Sequence, residues 1–163
     1  MKFEEKHAFD QPASTVMKMY ADKAFFDRKY KDVGAIEAEC LEHEVSDTRF
    51  RIKYRLVYRN DAPLPEVAKK IMGDTIQMVQ QDTWDLVKKT GRLDIEMKGK
   101  PLKLSADMVL ADVGGKGVNT QSWNISCSVP LVGGRIEAAV AEDIKVKAKR
   151  DLAASRKIIL DYV

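Results

Sequence analysis

From Arg135 to Val163 the chain contains neither proline nor glycine, and no other stretch restricts the fold so strongly. Ile136, Val140, Ile144, Ala148, Leu152, Ser155 and Ile159 recur there at steps of three and four. That spacing places them on one side of an amphipathic α-helix. At ~1.5 Å rise per residue such a helix runs roughly 40 Å, enough to cross a small domain. Most of the chain before it has the two-residue period of strands, so the helix is expected to lie against a curved antiparallel sheet.

The strands and breaks can be read in order. Phe3, Glu5, His7 and Phe9 alternate with Glu4, Lys6 and Ala8, predicting a first strand over residues 2 to 9. Pro12 suits the first turn of a helix carrying Val16, Met17, Met19 and Tyr20. A second short helix follows over residues 22 to 30, with Ala24, Phe25 and Phe26 as its apolar residues and Gly34 ending the pair. Ile36, Ala38 and Cys40 begin a strand that turns at residues 45 to 48. In the next strand Phe50, Ile52, Tyr54, Leu56 and Tyr58 alternate with Arg49, Arg51, Lys53, Arg55, Val57 and Arg59. A three-residue loop pairs Glu39 with Arg55 and Cys40 with Tyr54, whereas a two-residue loop puts Glu39 opposite Tyr54. A one-residue slip exchanges the faces, so the longer loop is favoured.

Residues 60 to 65 form a loop with two prolines, before a small helix over residues 65 to 72 whose apolar side is read as Leu64, Val67 and Ile71. A strand over residues 75 to 88 carries Ile76, Met78, Gln80, Asp82, Trp84 and Leu86 on one face, and Thr90-Gly91 is read as the turn that ends it. Leu93, Ile95 and Met97 mark the next strand, and Leu102, Leu104, Ala106, Met108 and Leu110 the one after. A hairpin at residues 114 to 117 leads to a last strand over residues 118 to 129, with Trp123, Ile125 and Cys127 on one face. The order is strand, two short helices, six strands with one inserted helix, then the long helix. This is a two-layer α+β domain spanning residues 1–163, with a hollow between sheet and helix.

Several function classes are excluded or left without support. A net charge of +3 is too small to imply nucleic acid unless the cations cluster on one face. The row Arg49, Arg51, Lys53, Arg55 and Arg59 is such a cluster. Its neighbours Glu37, Glu39, Glu42 and Glu44 account for it as an outward face laced with opposite charges, and the aromatics lie on the other face. Cys40 and Cys127 provide neither a disulfide framework nor a zinc site. No apolar run spans a bilayer, and the first residues lack the apolar core of a signal peptide, so a cytoplasmic protein is expected. No Walker A loop, HExxH, CxxC, GxSxG or dinucleotide fingerprint is present. No metal or cofactor is expected.

Three polar residues on the inner faces bear on chemistry. Glu137 sits at the centre of the helix's apolar arc, in its first turn. Either it caps the Gly133–Gly134 turn, or it anchors a ligand's polar group at one end of the hollow. Asp82, next to Gln80 on the Trp84 face, and His7, between Glu5 and Phe9, are the other two. If they meet, they supply an acid and a base for a cyclisation, dehydration or enolisation. Lys147 and Asp151, four residues apart, are expected to pair with each other. Tyr54, Tyr58, Met78, Trp84, Met97, Met108, Trp123, Glu137, Val140 and Ile144 are expected to line the hollow. Its methionines would adapt to varied ligand shapes.

The opening strand ending at Phe9 with Pro12 and Val16 after it, Leu64-Pro65, Trp84, and the run Pro130-Leu131-Val132-Gly133-Gly134-Arg135-Ile136-Glu137 carry a family resemblance. The chain resembles the START-like, polyketide-cyclase and Bet v 1 superfamily (SRPBCC, helix-grip), and within it the bacterial DUF2505 family of unknown function. The resemblance implies a helix-grip fold and a hydrophobic small-molecule partner such as a lipid, sterol or polyketide. It brings no catalytic set. A non-enzymatic binder or carrier is therefore the first expectation. A cyclase, dehydratase or isomerase in the same cavity is the second, and a protein-interaction module with a solid core the third. The loop and small helix of residues 60 to 73 are expected to gate the cavity mouth.

Overall fold

The computed structural model describes residues 1–163. In chain order the elements are β1 (Lys2–Ala8), α1 (Ala13–Tyr20), α2 (Lys23–Asp32), β2 (Glu37–Val45), β3 (Arg49–Arg59), α3 (Glu66–Met72), β4 (Thr75–Asp85), β5 (Thr90–Glu96), β6 (Leu102–Val113), β7 (Lys116–Cys127) and α4 (Gly133–Ile158). The last helix tightens into a 3-10 turn at Ile159–Tyr162. The seven strands form one antiparallel sheet in the order β1-β7-β6-β5-β4-β3-β2, so β1 and β2 are its opposite edges. The α1–α2 pair spans that gap and closes one end of the curve. The result is the α+β helix-grip architecture, with α4 held by the sheet.

β3 shows how its alternation is converted into structure. Phe50, Ile52, Tyr54 and Leu56 are buried, while Arg51 and Arg55 turn outward. Arg51 pairs with Glu42 and Glu44, and Arg55 with Glu37 and Glu39, across the β2–β3 ladder. Glu39 faces Arg55 and Cys40 faces Tyr54, as expected. The register is reached differently, however. The Ser46 N–H donates to the Arg49 carbonyl at 2.8 Å, leaving a two-residue tip. A bulge between Cys40 and Glu42 then supplies the extra residue.

Rings from α1 and α2 pack into the sheet's concave face. Phe26 stacks on Phe50 at 5.8 Å and on Tyr54 at 6.1 Å between centroids, and Tyr20 stacks on Trp84 at 5.5 Å. Each such ring buries a large apolar area, and the offset geometry adds roughly 0.5–1.5 kcal/mol per pair.

Two expectations are corrected by packing. The β4–β5 turn lies at residues 86–89, where Lys89 has φ 55°, and Thr90 and Gly91 are already strand, opposite Asp85 and Trp84. Gly91 is needed for a different reason than turning. A Cβ there would stand 2.8 Å from two carbons of the Trp84 ring and 2.9 Å from the Thr83 carbonyl oxygen. In α3 Ala68 and Met72 are buried beside Leu64, and Ile71 packs partly buried against the core, as expected for Leu64 and Ile71, while Val67 is exposed. The helix is rotated so that its smallest side chain meets the core.

The α4 stripe is buried only at its two ends. Ile136, Val140 and Ala141 pack at one end, and Ala154, Ser155 and Ile158 at the other. Ile144, Ala148 and Leu152 between them are half-buried. Two of those three, Ile144 and Ala148, face a void.

Candidate functional site: a cavity with an unfinished polar lining

The void is a cavity of about 440 Å³ between the sheet and the middle of α4, within the usual range for small-molecule sites. Of its 34 lining residues 20 are hydrophobic, so the polar groups are few enough to be considered one by one. The exposed lining residues Gly34, Arg59, Asp61 and Arg150 mark its mouth. There the end of α2, the end of β3 and the following loop face α4. Lys147 and Arg150 each stand 3.8 Å from Asp61 across this opening.

Tyr58, Met78, Trp84, Met97, Met108, Trp123, Val140 and Ile144 all line the cavity, as do His7 and Asp82. Two expected residues do not. The Tyr54 hydroxyl donates to Asp27 Oδ1 beneath α2, and its ring is fully packed against Phe26 and Tyr30. Glu137 Oε1 accepts the Cys127 N–H at 2.9 Å, and its Oε2 stands 3.2 Å from the Met1 nitrogen. Those contacts hold its carboxyl below its ordinary value, the Cys127 N–H first among the causes that lower it. Glu137 thus ties the start of α4 to the end of β7, outside the cavity.

The deep polar group of the cavity is centred on a residue that strand and helix periods alone do not single out. Phe25, Phe26, Lys29 and Tyr30 form one buried face of α2, and Lys29 is only 7% exposed. Its Nζ stands 3.2 Å from Asp151 Oδ2 on α4 and lies 5.0 to 5.2 Å from the ring centroids of Phe25, Phe26 and Tyr30. Asp151 therefore pairs with Lys29, and Lys147 pairs instead with Asp143 at 2.6 Å. The expected Lys147–Asp151 pair does not form, because a long-range cation reaches Asp151 first.

Asp82 projects from β4 between Gln80 and Trp84, and is 8% exposed. Gln80 Nε2 donates to its Oδ1 at 3.2 Å and to the Tyr30 hydroxyl at 3.1 Å. Asp82 has no ion-pair partner and its Oδ2 has no hydrogen-bond partner. Burial pushes its pKa up to about 6, only partly offset by Lys29 and Gln80. His7 is buried on β1 with Nε2 unpartnered. Burial holds its pKa below the ordinary value, against the pull of Asp151, so the ring is neutral near pH 7. Asn119, directly opposite His7 on β7, donates to the Tyr20 hydroxyl at 3.4 Å but leaves Oδ1 unpartnered.

His7 and Asp82 do not form a dyad. β7, β6 and β5 lie between their strands, a separation of roughly 19 Å along the sheet at ~4.8 Å per step. Lys29 and Asp151 act electrostatically on both. Asn119, Gln121 and Lys29 were also missed from the sequence. Asn119 and Gln121 sit on the Trp123–Ile125 face of β7 by simple alternation, and Lys29 follows Phe25 and Phe26 at helical spacing.

Comparison with known proteins follows the same lines. Residues 4–159 match the family described as "Protein of unknown function (DUF2505)". No curated protein matches the chain. Among solved structures, the protein TTHA0849 from Thermus thermophilus superposes with a TM-score of 0.70 at 14% identity, covering 99% of this chain and 98% of that one. Ara h 8.0201 gives 0.68 at 14% identity, covering 99% and 98%. The ZhuI aromatase/cyclase from Streptomyces sp. R1128 gives 0.62 at 11% identity, covering 98% and 93%. At these identities the likeness is one of fold.

Proposed function

The chain belongs to the DUF2505 family, and from the cavity that its helix-grip fold encloses we propose that it binds or carries a hydrophobic small molecule between the sheet and α4. The observation that carries this reading is the half-buried middle of the α4 stripe. Ile144 and Ala148 are apolar, inward and unpacked, whereas the same stripe is sealed at both ends. A solid-core interaction module would have filled that gap.

The test is to plug it. Met108 lines the cavity from β6 and is 3% exposed. In a packed core, Met108→Trp would cost roughly 1–3 kcal/mol. With space beside it, the ring enters the void: the melting temperature stays nearly unchanged and binding of a fluorescent hydrophobic probe is lost. Marked destabilisation with undiminished probe binding overturns the reading.

A second reading, proton transfer on an enolisable ligand, is favoured by one observation. Asp82 is a buried carboxyl with a pKa near neutrality, facing an apolar cavity. It ranks below carriage because no second titratable side chain hydrogen-bonds to Asp82. Ligand recovered from wild-type protein in heavy water would carry carbon-bound deuterium, and ligand recovered from Asp82→Asn would not. Equal labelling in both removes the catalytic reading.

A further inference from the structure

Resting on the small-molecule reading above, we infer that the ligand is an amphipathic amine, whose ammonium pairs with Asp82 Oδ2 at the polar end of the cavity. Three observations converge on a cation rather than a neutral molecule or an acid.

The first is a missing partner. Of the four carboxylates lining the cavity, Asp61, Asp143 and Asp151 each have a cation within 4 Å, and Asp82 has none. Asp82 is also the most deeply buried of the four. One oxygen accepts from Gln80 and the other is free. A buried carboxylate without a counter-charge is costly, and a ligand ammonium removes that cost with a charge-assisted hydrogen bond.

The second is local charge. Lys29, Asp151 and Asp82 are the formally charged groups within electrostatic reach of one another in the deep cavity. They sum to −1, and His7 adds nothing near pH 7. A monocation brings the set to neutrality. A carboxylate ligand would raise it to −2 in a low-dielectric space, where like charges repel most strongly.

The third is the walls. Trp84 is two residues along β4 from Asp82 on the same face, with Tyr20 stacked on it. The Tyr20 and Tyr30 hydroxyls both feel the Asp82 charge. Tyr20 stacks on the Trp84 ring and Gly91 packs against it, so these rings meet the ligand as an apolar wall. Lys29, with its Nζ 5.0 to 5.2 Å from the Phe25, Phe26 and Tyr30 centroids, shows that this cavity already holds one ammonium among aromatic rings. The ligand's apolar tail then runs toward Leu93, Met97 and Met108.

The experiment is calorimetric titration of the full chain at pH 7.5 with three probes of equal tail length: decylamine, decanol and decanoate. Decylamine is expected to bind at least about tenfold more tightly than decanol, and decanoate most weakly. Asp82→Asn should remove the amine's advantage while leaving decanol within about threefold of wild type. Decanol binding also shows that the variant is folded. If all three bind alike, or decanoate binds best, the amine assignment is wrong and the cavity reading stands. Binding of none of the three overturns the cavity reading itself, and with it this assignment. Tight amine binding that persists in Asp82→Asn would place the ammonium elsewhere and overturn the assignment of Asp82.

Discussion

The convex and concave faces of the sheet treat polarity in opposite ways. Outside, Arg51, Arg55 and Arg92 each hold two carboxylates, in water, where an ion pair contributes little. Inside, His7 Nε2 and Asn119 Oδ1 are buried without a partner, where an unmade bond costs most, and Asp82 lines the cavity with no cation beside it. A protein optimised only for stability would reverse this. The incomplete pairing coincides with the one part of the core that is not filled, so the two defects are best understood together as a site that a ligand completes.

The largest effect should come from removing the one buried cation. Lys29→Met keeps the apolar stem over the three rings but leaves Asp151 and Asp82 without a positive neighbour. A loss of about 3 kcal/mol is expected in denaturant unfolding at pH 7, the low end for a broken buried pair because the Asp151 side chain is 33% exposed. If the loss is no larger than that of an outer arginine, the contrast between the faces is false.

Asp82→Asn should act in the opposite direction and stabilise. With a folded pKa of about 6 against an ordinary 3.8, Asp82 binds a proton in the folded state between those values while the unfolded chain does not. Its contribution is therefore fully present below about pH 4 and lost as pH rises through 6. The variant should gain roughly 2–3 kcal/mol at pH 7.5, with the gain shrinking toward zero near pH 4. His7 has the reverse sign. Its lowered pKa costs stability as pH falls below 6.5, so the wild-type profile alone is ambiguous. The difference between variant and wild type isolates Asp82. A gain that does not depend on pH would assign the effect to something other than its charge.

The smallest effect belongs to the outer face. Arg51→Ala or Arg55→Ala removes two exposed ion pairs each, and the unfolding midpoint should not move beyond experimental scatter at physiological salt. A clear loss from either would mean that the outer ladder, and not the core, sets the register of β2 on β3.

These contrasts also explain what was legible from sequence. The faces of β3 and the extent of α4 follow from local periods, and both could be read directly. Gly91 could not, because its lack of a side chain answers to Trp84 across the hairpin and not to a turn. Val67 and Ala68 are equally plausible inward residues of a two-turn helix until the core is present to select the smaller. Helical spacing puts Lys29 on the Phe25–Phe26 face, but nothing in its own helix shows where its ammonium ends. Only the arrival of Asp151 from the far end of the chain makes it a buried partner. The same long-range pairing broke the expected Lys147–Asp151 contact. Glu137 was expected in the first turn of the helix, but α4 already begins at Gly133, which puts Glu137 one turn further in, and the Cys127 N–H takes its carboxylate. Local pattern determines faces, and partners between distant segments determine which polar residues remain free for a ligand.

Whether the cavity holds a small molecule is tested most directly by native mass spectrometry of the protein purified without added ligand. The expected result is a substoichiometric non-covalent adduct, apolar or amphipathic once extracted, that disappears in Met108→Trp. A bare chain mass for wild type, unchanged after incubation with a lipid extract of the expression host, would contradict it.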